Sequence, residues 1–324
     1  MAWLADVRSI EREAPAPVRH YRVVTRAKRG GGVRVLEVPK PRLREAQRRL
    51  LHHVVAPIPV HAAGHGGVRG RSVATALAPH AGHGQILRMD LASFFGSVGA
   101  GRIWGVLRTA GYPEAVAHAV SGLTTTAIAR AAWATVPVPA ATDPVGAERR
   151  TAHRRLGREL SRPHLPQGAP TSPGLANLVA YSLDVRLSGL AASLGCAYSR
   201  YVDDLLFSAP NLPSALLRRR VPEIVAEEGF AVAAAKTVLL SRANRQQVLG
   251  AVVNERTTVA RREYDNLRAT MHDCRVHGPA SQTGNSSIEA FRERLIGRVA
   301  WVNGLDAGRG RRLRAGLESI DWNR

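Results

Sequence analysis

Two adjacent carboxylates inside an otherwise apolar run, Tyr201-Val202-Asp203-Asp204-Leu205-Leu206-Phe207, constrain this chain more than any other segment. Unpaired charge among apolar side chains is costly. The run is either an ordinary two-residue hairpin turn, where Asp is favoured, or a site that needs negative charge in an apolar frame. A second run, Gln85-Ile86-Leu87-Arg88-Met89-Asp90-Leu91, reads as a buried strand that also ends in a carboxylate, with Phe94-Phe95 just beyond. It favours the site. Three carboxylates converging from two strands suit a hard divalent cation with an oxygen shell. Two such ions, about 3.5–4 Å apart, activate a 3′-hydroxyl and stabilise a leaving pyrophosphate. Between the two runs, Leu165-Pro166-Gln167-Gly168-Ala169-Pro170-Thr171-Ser172-Pro173 forms a rigid Pro/Gly loop in which Gln167 offers both a donor and an acceptor.

The formal net charge of +21 points to a polyanionic partner, because each neutralised phosphate releases counterions. The bases are almost all Arg, with Lys only at positions 28, 40 and 236. Lys236 therefore stands out: lysine can release a proton when its pKa falls, whereas arginine effectively cannot. A general acid for the pyrophosphate leaving group fits that position. No run of about 18 apolar residues occurs, so no membrane span is expected. The acidic N-terminus lacks a secretory pattern. Two distant cysteines, Cys196 and Cys274, fit a reducing cytoplasm rather than a disulfide framework.

Alternation predicts a β-hairpin from Tyr21 through a Gly30-Gly31-Gly32 turn to Val38, after a lead-in over 1–20. Apolar spacing predicts helices over Arg42–Val55, 101–132, 213–228 and the basic tail 260–320. A Gly-rich connection, Ala63–Arg71, leads to a short helix. Residues 133–164 show little periodicity and read as irregular or mobile. Pro173–Leu194 reads as one long helix, and Tyr198–Ser208 as a hairpin. Short strands are expected around Ala231–Leu240 and Val248–Val253. His61, His65, His80 and His83 have no cysteine pair for zinc, so they read as surface or phosphate-facing. Phe291, Trp301 and Trp322 are expected to anchor the core of the tail. Strands and helices in irregular order make the class α+β.

The order Asp90-Leu-x-x-Phe-Phe, Pro166-Gln-Gly-x-Pro-Thr-Ser-Pro, Tyr201-x-Asp-Asp resembles the palm motifs of reverse transcriptases, and the surroundings resemble bacterial retron enzymes. The stretches that carry the second likeness are His65-Gly66 to Gly70-Arg71-Ser72, Ser199-Arg200-Tyr201, Gly229-Phe230 to Lys236-Thr237, and Arg245 to Asn254. Departures lie at Ala76 to His80, where only the histidine of an Asn-Ala-x-x-His element remains, and at Val248-Leu249-Gly250, where Val-Thr-Gly is usual. Ala233 replaces a usual asparagine, and Gly67 a common aromatic.

The resemblance implies a right-hand polymerase: fingers, a palm with an antiparallel sheet, and a small helical thumb. Its expected divisions are 1–86 fingers with the lead-in, 87–120 palm, 121–164 fingers or irregular insertion, 165–254 palm, and 255–324 thumb. Two Mg2+ ions would be held by Asp90, Leu91, Asp203 and Asp204, with Lys236 completing the catalytic set. Lys28, Arg34, Phe95 and Gln167 would meet the deoxynucleoside triphosphate, Phe95 as a gate against the ribose 2′-hydroxyl. Arg71, Arg245, Gln246, Gly250, Arg261 and Arg262 would contact RNA or primer. The implied activity is RNA-directed DNA synthesis on a structured noncoding RNA, giving an RNA–DNA hybrid, in the cytoplasm, in phage defence, with an effector protein as a possible partner. No appended endonuclease, maturase or ribonuclease H segment is expected. The rival readings are untemplated or protein-primed synthesis on the same fold, and a non-catalytic RNA-binding scaffold.

Overall fold

Residues 20–27, 32–140, 144–284 and 286–322 are described by a computed structural model of the chain. Most of the expected lead-in, Lys28 and the first two glycines of the turn lie outside these residues. In chain order the strands are β1 (Tyr21–Ala27), β2 (Val33–Pro39), β3 (Gln85–Asp90), β4 (Ala197–Tyr201), β5 (Asp204–Ala209), β6 (Val238–Ser241), β7 (Gln247–Val248) and β8 (Ala251–Val252). The α-helices are α1 (Pro41–Leu50), α2 (Val73–Leu77), α3 (Ala100–Thr109), α4 (Glu114–Thr124), α5 (Arg130–Trp133), α6 (Pro144–Leu160), α7 (Ser172–Val179), α8 (Tyr181–Ser193), α9 (Ser214–Glu227), α10 (Arg261–His277), α11 (Ile288–Leu305) and α12 (Ala307–Glu318). Among the described residues no helix is long and apolar enough to cross a membrane.

The central sheet is antiparallel, in the order β4-β5-β3-β6. Both of its faces are covered, which explains why β5 is buried along its whole length. Leu87, Met89, Leu91, Leu205 and Phe207 face α7, α8 and α9, in a core with Leu175, Leu183, Leu187, Leu217 and Val221. The alternate residues Ile86 and Leu206 face the other way, against Leu77, Val248 and Val253. Asp90 and Asp204 share the parity of that second face, at the end of the sheet where the core stops.

The hairpin β1–β2 pairs Tyr21 with Pro39 through Ala27 with Val33. It rests on α1 and α4 through Tyr21, Leu43 and Leu123, and on α5 and α6 through Val35, Ile128 and Leu160. At the other end of the chain α10, α11 and α12 form a bundle around Leu267, Met271, Phe291, Leu295, Val302 and Leu313, with Trp301 and Trp322 packed on it as expected.

The structure corrects two expectations. Residues 144–160 form the 17-residue helix α6 rather than irregular chain. The run is rich in Ala, Arg, Glu and Leu, all strong helix formers. Its apolar stripe is thin, and Gly157 lies so close under Trp133 that an added Cβ would sit 2.7 Å from the indole. A helix that packs through a half-buried glycine, with only Leu156 and Leu160 on its apolar edge, has little periodicity to read. The expected long helix from Pro173 divides at Ala180 into α7 and α8. The short strands expected around 231–240 and 248–253 are present, as β6 after a 3-10 turn at Ala234–Lys236 and as the two-residue strands β7 and β8.

Candidate active site

Antiparallel register sets the site. Asp90, the last residue of β3, is the cross-strand partner of Asp204, the first residue of β5. Tyr201 pairs with Asp204, so Val202 and Asp203 make the two-residue turn of the β4–β5 hairpin. The Leu91 amide donates to the Asp203 carbonyl at 2.8 Å and fastens that turn to the end of β3. Val202 has φ +57, an unusual conformation for a β-branched residue. Gly66 permits it, since a Cβ there would lie 2.4 Å from Val202 Cγ2. Strain of this kind persists where surrounding structure over-determines it.

Among the described residues the over-determining groups are Arg200, Asp184 and Asn177, none of which sequence reasoning singled out as functional. Fully buried Arg200 donates from Nε and Nη2 to the two carboxylate oxygens of Asp184, at 2.8 and 2.6 Å. Its Nη1 donates to Asn177 Oδ1 and to the Val202 carbonyl, both at 2.9 Å. Tyr198 donates its hydroxyl to Asp184 at 2.8 Å, and Asn177 Nδ2 donates to the Gly66 carbonyl at 2.7 Å. The planar guanidinium thus holds the carboxylate-bearing turn from beneath.

Around the carboxylates, Lys236 Nζ donates to Asp90 Oδ1 at 2.6 Å, and Arg88 Nε to Asp204 Oδ1 at 2.7 Å. Asp203 makes no ion pair among the described residues. Burial, then Asp90, then Asp204, push its carboxyl up to about 6. Burial also raises Asp204, against the pull of Arg88. Excess negative charge crowded at one buried sheet end is the donor chemistry a hard cation satisfies. Among the described residues no three ligating groups already form a closed metal shell. Asp90 and Asp204 instead turn toward their bases, so a cation here would draw on water and substrate oxygens as well.

The residues expected on the nucleotide side come from separate segments. Phe95 sits half-buried in a turn after β3, its ring 5.7 Å from Phe94. Phe94 lies 5.5 Å from Phe230, and Arg102 caps Phe230 at 4.2 Å. Gln167 is half-buried in its loop, with its carbonyl accepting from the Glu37 amide of β2 at 2.9 Å. Arg34 is exposed on β2 opposite Arg26. Lys28 lies outside the described residues.

The expected RNA-facing residues fare unevenly. Arg245, Gly250, Arg261 and Arg262 are exposed. Arg71 spends Nη1 on the carbonyls of His61, Ala62 and Gly64, shaping the loop that carries Gly66. Gln246 is corrected outright: it is fully buried, and its Nε2 donates to the His83 and Gly84 carbonyls at 3.2 and 3.4 Å. Its side chain ties the start of β7 to the segment just before β3 and is closed off from RNA. His80 is likewise no surface histidine. It is fully buried between Ser208 and Ser199, 2.7 and 2.8 Å away, and burial lowers its pKa to about 3. His83, half-buried, contacts the same Ser208 at 2.6 Å.

A family model described as reverse transcriptase (RNA-dependent DNA polymerase) matches residues 27–253. Retron Mx65 reverse transcriptase of Myxococcus xanthus is 38% identical over 298 residues, covering 91% of this chain and 64% of that protein. Retron Mx162 reverse transcriptase of the same organism is 36% identical over 338 residues, covering 99% and 64%. Retron Ec86 reverse transcriptase of Escherichia coli is 27% identical over 256 residues, covering 78% and 69%. The chain therefore spans just under two thirds of the length of the two Myxococcus relatives. Among solved structures, telomerase from Candida albicans aligns with a TM-score of 0.42 and 11% identity over 93% of this chain and 56% of that one, a likeness too loose to bear on function.

Proposed function

The chain belongs to the reverse transcriptase family, and from that premise we propose that it is of the bacterial retron type and synthesises DNA on an RNA template at Asp90, Asp203 and Asp204. The observation that carries the reading is the pairing of Asp90 with Asp204, with Asp203 in the adjoining turn. The family generally uses divalent metal ions. Two magnesium ions would be held by the three carboxylates and by the main chain of Leu91, whose side chain is buried and apolar; they would supply activation of the primer 3′-hydroxyl and charge stabilisation of the departing pyrophosphate.

The chain's own groups do the rest. Lys236, largely exposed yet within reach of Asp90, holds a proton beside the position of the leaving pyrophosphate and delivers it there. Arg34, with Lys28, draws in the triphosphate, and Gln167 lines the base and sugar pocket. Phe95 closes the ribose side and disfavours a 2′-hydroxyl. Arg71, Arg245, Gly250, Arg261 and Arg262 follow the RNA–DNA hybrid by shape and charge. On this reading 1–86 with 121–164 serve as fingers, 87–120 with 165–254 as palm, and 255–324 as thumb. The template is a structured noncoding RNA, synthesis starts from a hydroxyl of that RNA, and the product works in the cytoplasm in phage defence with an effector protein.

Sequencing the nucleic acid that co-purifies with the wild-type protein tests the retron assignment. One structured RNA covalently joined to DNA is expected. A mixture of unrelated RNAs, none carrying DNA, would overturn it.

A further inference from the structure

Glu37 and His164 are 127 residues apart in sequence, yet their side chains meet inside the protein, at 2% and 1% exposure, with Oε2 and Nε2 2.7 Å apart. His164 Nδ1 lies 2.7 Å from the Arg162 carbonyl, an acceptor only, so Nδ1 carries a hydrogen. That fixes the ring and leaves Nε2 to share a proton with the carboxylate. Val35, Ile128 and Leu165, in the same segments, are buried as well, and Glu159 of α6 is close enough for its charge to act on His164.

Buried ion pairs add little to stability compared with apolar side chains of the same shape. What they do supply is direction. The main chain around this pair shows what is directed. Glu37 N–H donates to the Gln167 carbonyl at 2.9 Å, and an added Cβ on Gly168 would sit 3.2 Å from the Glu37 carbonyl. His164 exchanges two hydrogen bonds with Thr126, at 2.9 and 3.0 Å. The next residue, Leu165, donates to the carbonyl of Val98, at the end of the turn that holds Phe95, at 3.0 Å. Three segments that carry nucleotide-side residues therefore meet at one buried pair: β2 with Arg34, the Gln167 loop and the Phe95 turn.

We propose that Glu37 and His164 are positioning residues that lock the hairpin β1–β2, the Gln167 loop and the Phe95 turn into one frame around the incoming nucleotide. The proposal rests on the polymerase reading above. It predicts a defect in nucleotide binding rather than in the chemical step, since neither residue touches the carboxylates.

The test uses Glu37→Gln, which leaves His164 with a neutral partner, and the double variant Glu37→Met/His164→Leu, which removes both halves of the pair so that neither is left buried without the other. The double variant is expected to fold, with a melting temperature close to wild type. Its KM for deoxynucleotides on a primed RNA template should rise at least about tenfold, with kcat at saturation nearly kept. Hydrogen exchange, which needs no activity, should speed up at the amides of Glu37, Thr126 and Leu165. A folded double variant with wild-type KM and wild-type exchange at those amides would overturn the proposal. A wild type with no synthesis at all would sink the polymerase reading instead, and the exchange data would still decide whether the pair sets the frame.

Discussion

Replacing Asp203 with Asn is expected to abolish synthesis and yet to stabilise the metal-free fold. Burial first, then the charges of Asp90 and Asp204, push the Asp203 carboxyl from 3.8 to about 6. A folded-state value above the unfolded one means that the native protein holds this proton more tightly. Ionised Asp203 therefore works against folding above about pH 6, and the penalty fades as pH falls from there toward 3.8. That difference corresponds to about 3 kcal/mol. The side chain keeps some solvent, so about 1–2 kcal/mol is the expected gain. In a chain of this length that is about 2–3 °C in melting temperature. Thermal melts of wild type and Asp203→Asn in a chelator, at pH 7.5 and again near pH 4.5, read it directly. The variant should melt higher at pH 7.5, the gap should close at low pH, and magnesium should raise the wild type more than the variant. A variant that melts at or below wild type at pH 7.5, or a gap indifferent to pH, would refute the reasoning.

Arg200→Met strands a fully buried Asp184 and should cost about 3–5 kcal/mol, seen as a lower urea midpoint, whereas Arg200→Met/Asp184→Leu should recover stability without recovering synthesis. Phe95→Ala should raise ribonucleotide incorporation by about tenfold or more, measured as alkali-labile product, with deoxynucleotide addition largely kept. For His164, burial alone would lower the pKa, but the hydrogen bond and charge of Glu37 outweigh it and raise the value above 6.5. Stability from the pair is fully present below pH 6.5 and is lost as pH rises through the raised value. Wild-type melting temperature should thus fall more steeply on the alkaline side of that pH than that of Glu37→Met/His164→Leu.

What could be read from the chain was what local chemistry dictates. β3 and β5 were legible because apolar strands buried on both faces leave continuous runs, and a carboxylate at the end of such a run is conspicuous. Lys236 was legible against an arginine background. The supporting groups were not. Asp184 and Arg186 lie on one helix and look alike as solvated charges, but Asp184 is fully buried under Arg200, while Arg186 pairs with Glu227 and Glu228 at the surface. Gln246 sits in an Arg-Gln-Gln stretch that reads as exposed, and only the carbonyls of His83 and Gly84, more than 160 residues away, hold it inside. His80 is closed in by serines from β4 and β5, more than 100 residues away. Partners this distant leave no local pattern, and the helix α6 leaves a weak one because its contact with Trp133 is made through Gly157 and His153 rather than an apolar side chain.

The central claim is that Asp90, Asp203 and Asp204 form the centre of an RNA-directed DNA polymerase. Primer extension on an RNA template with deoxynucleotides and magnesium, wild type against Asp203→Asn/Asp204→Asn, tests it most directly. The account predicts templated DNA product from the wild type, dependent on the metal, and none from a variant that folds and still binds RNA. Well-folded wild type that yields no product, on supplied or co-purified RNA, would contradict it and leave an RNA-binding scaffold in its place.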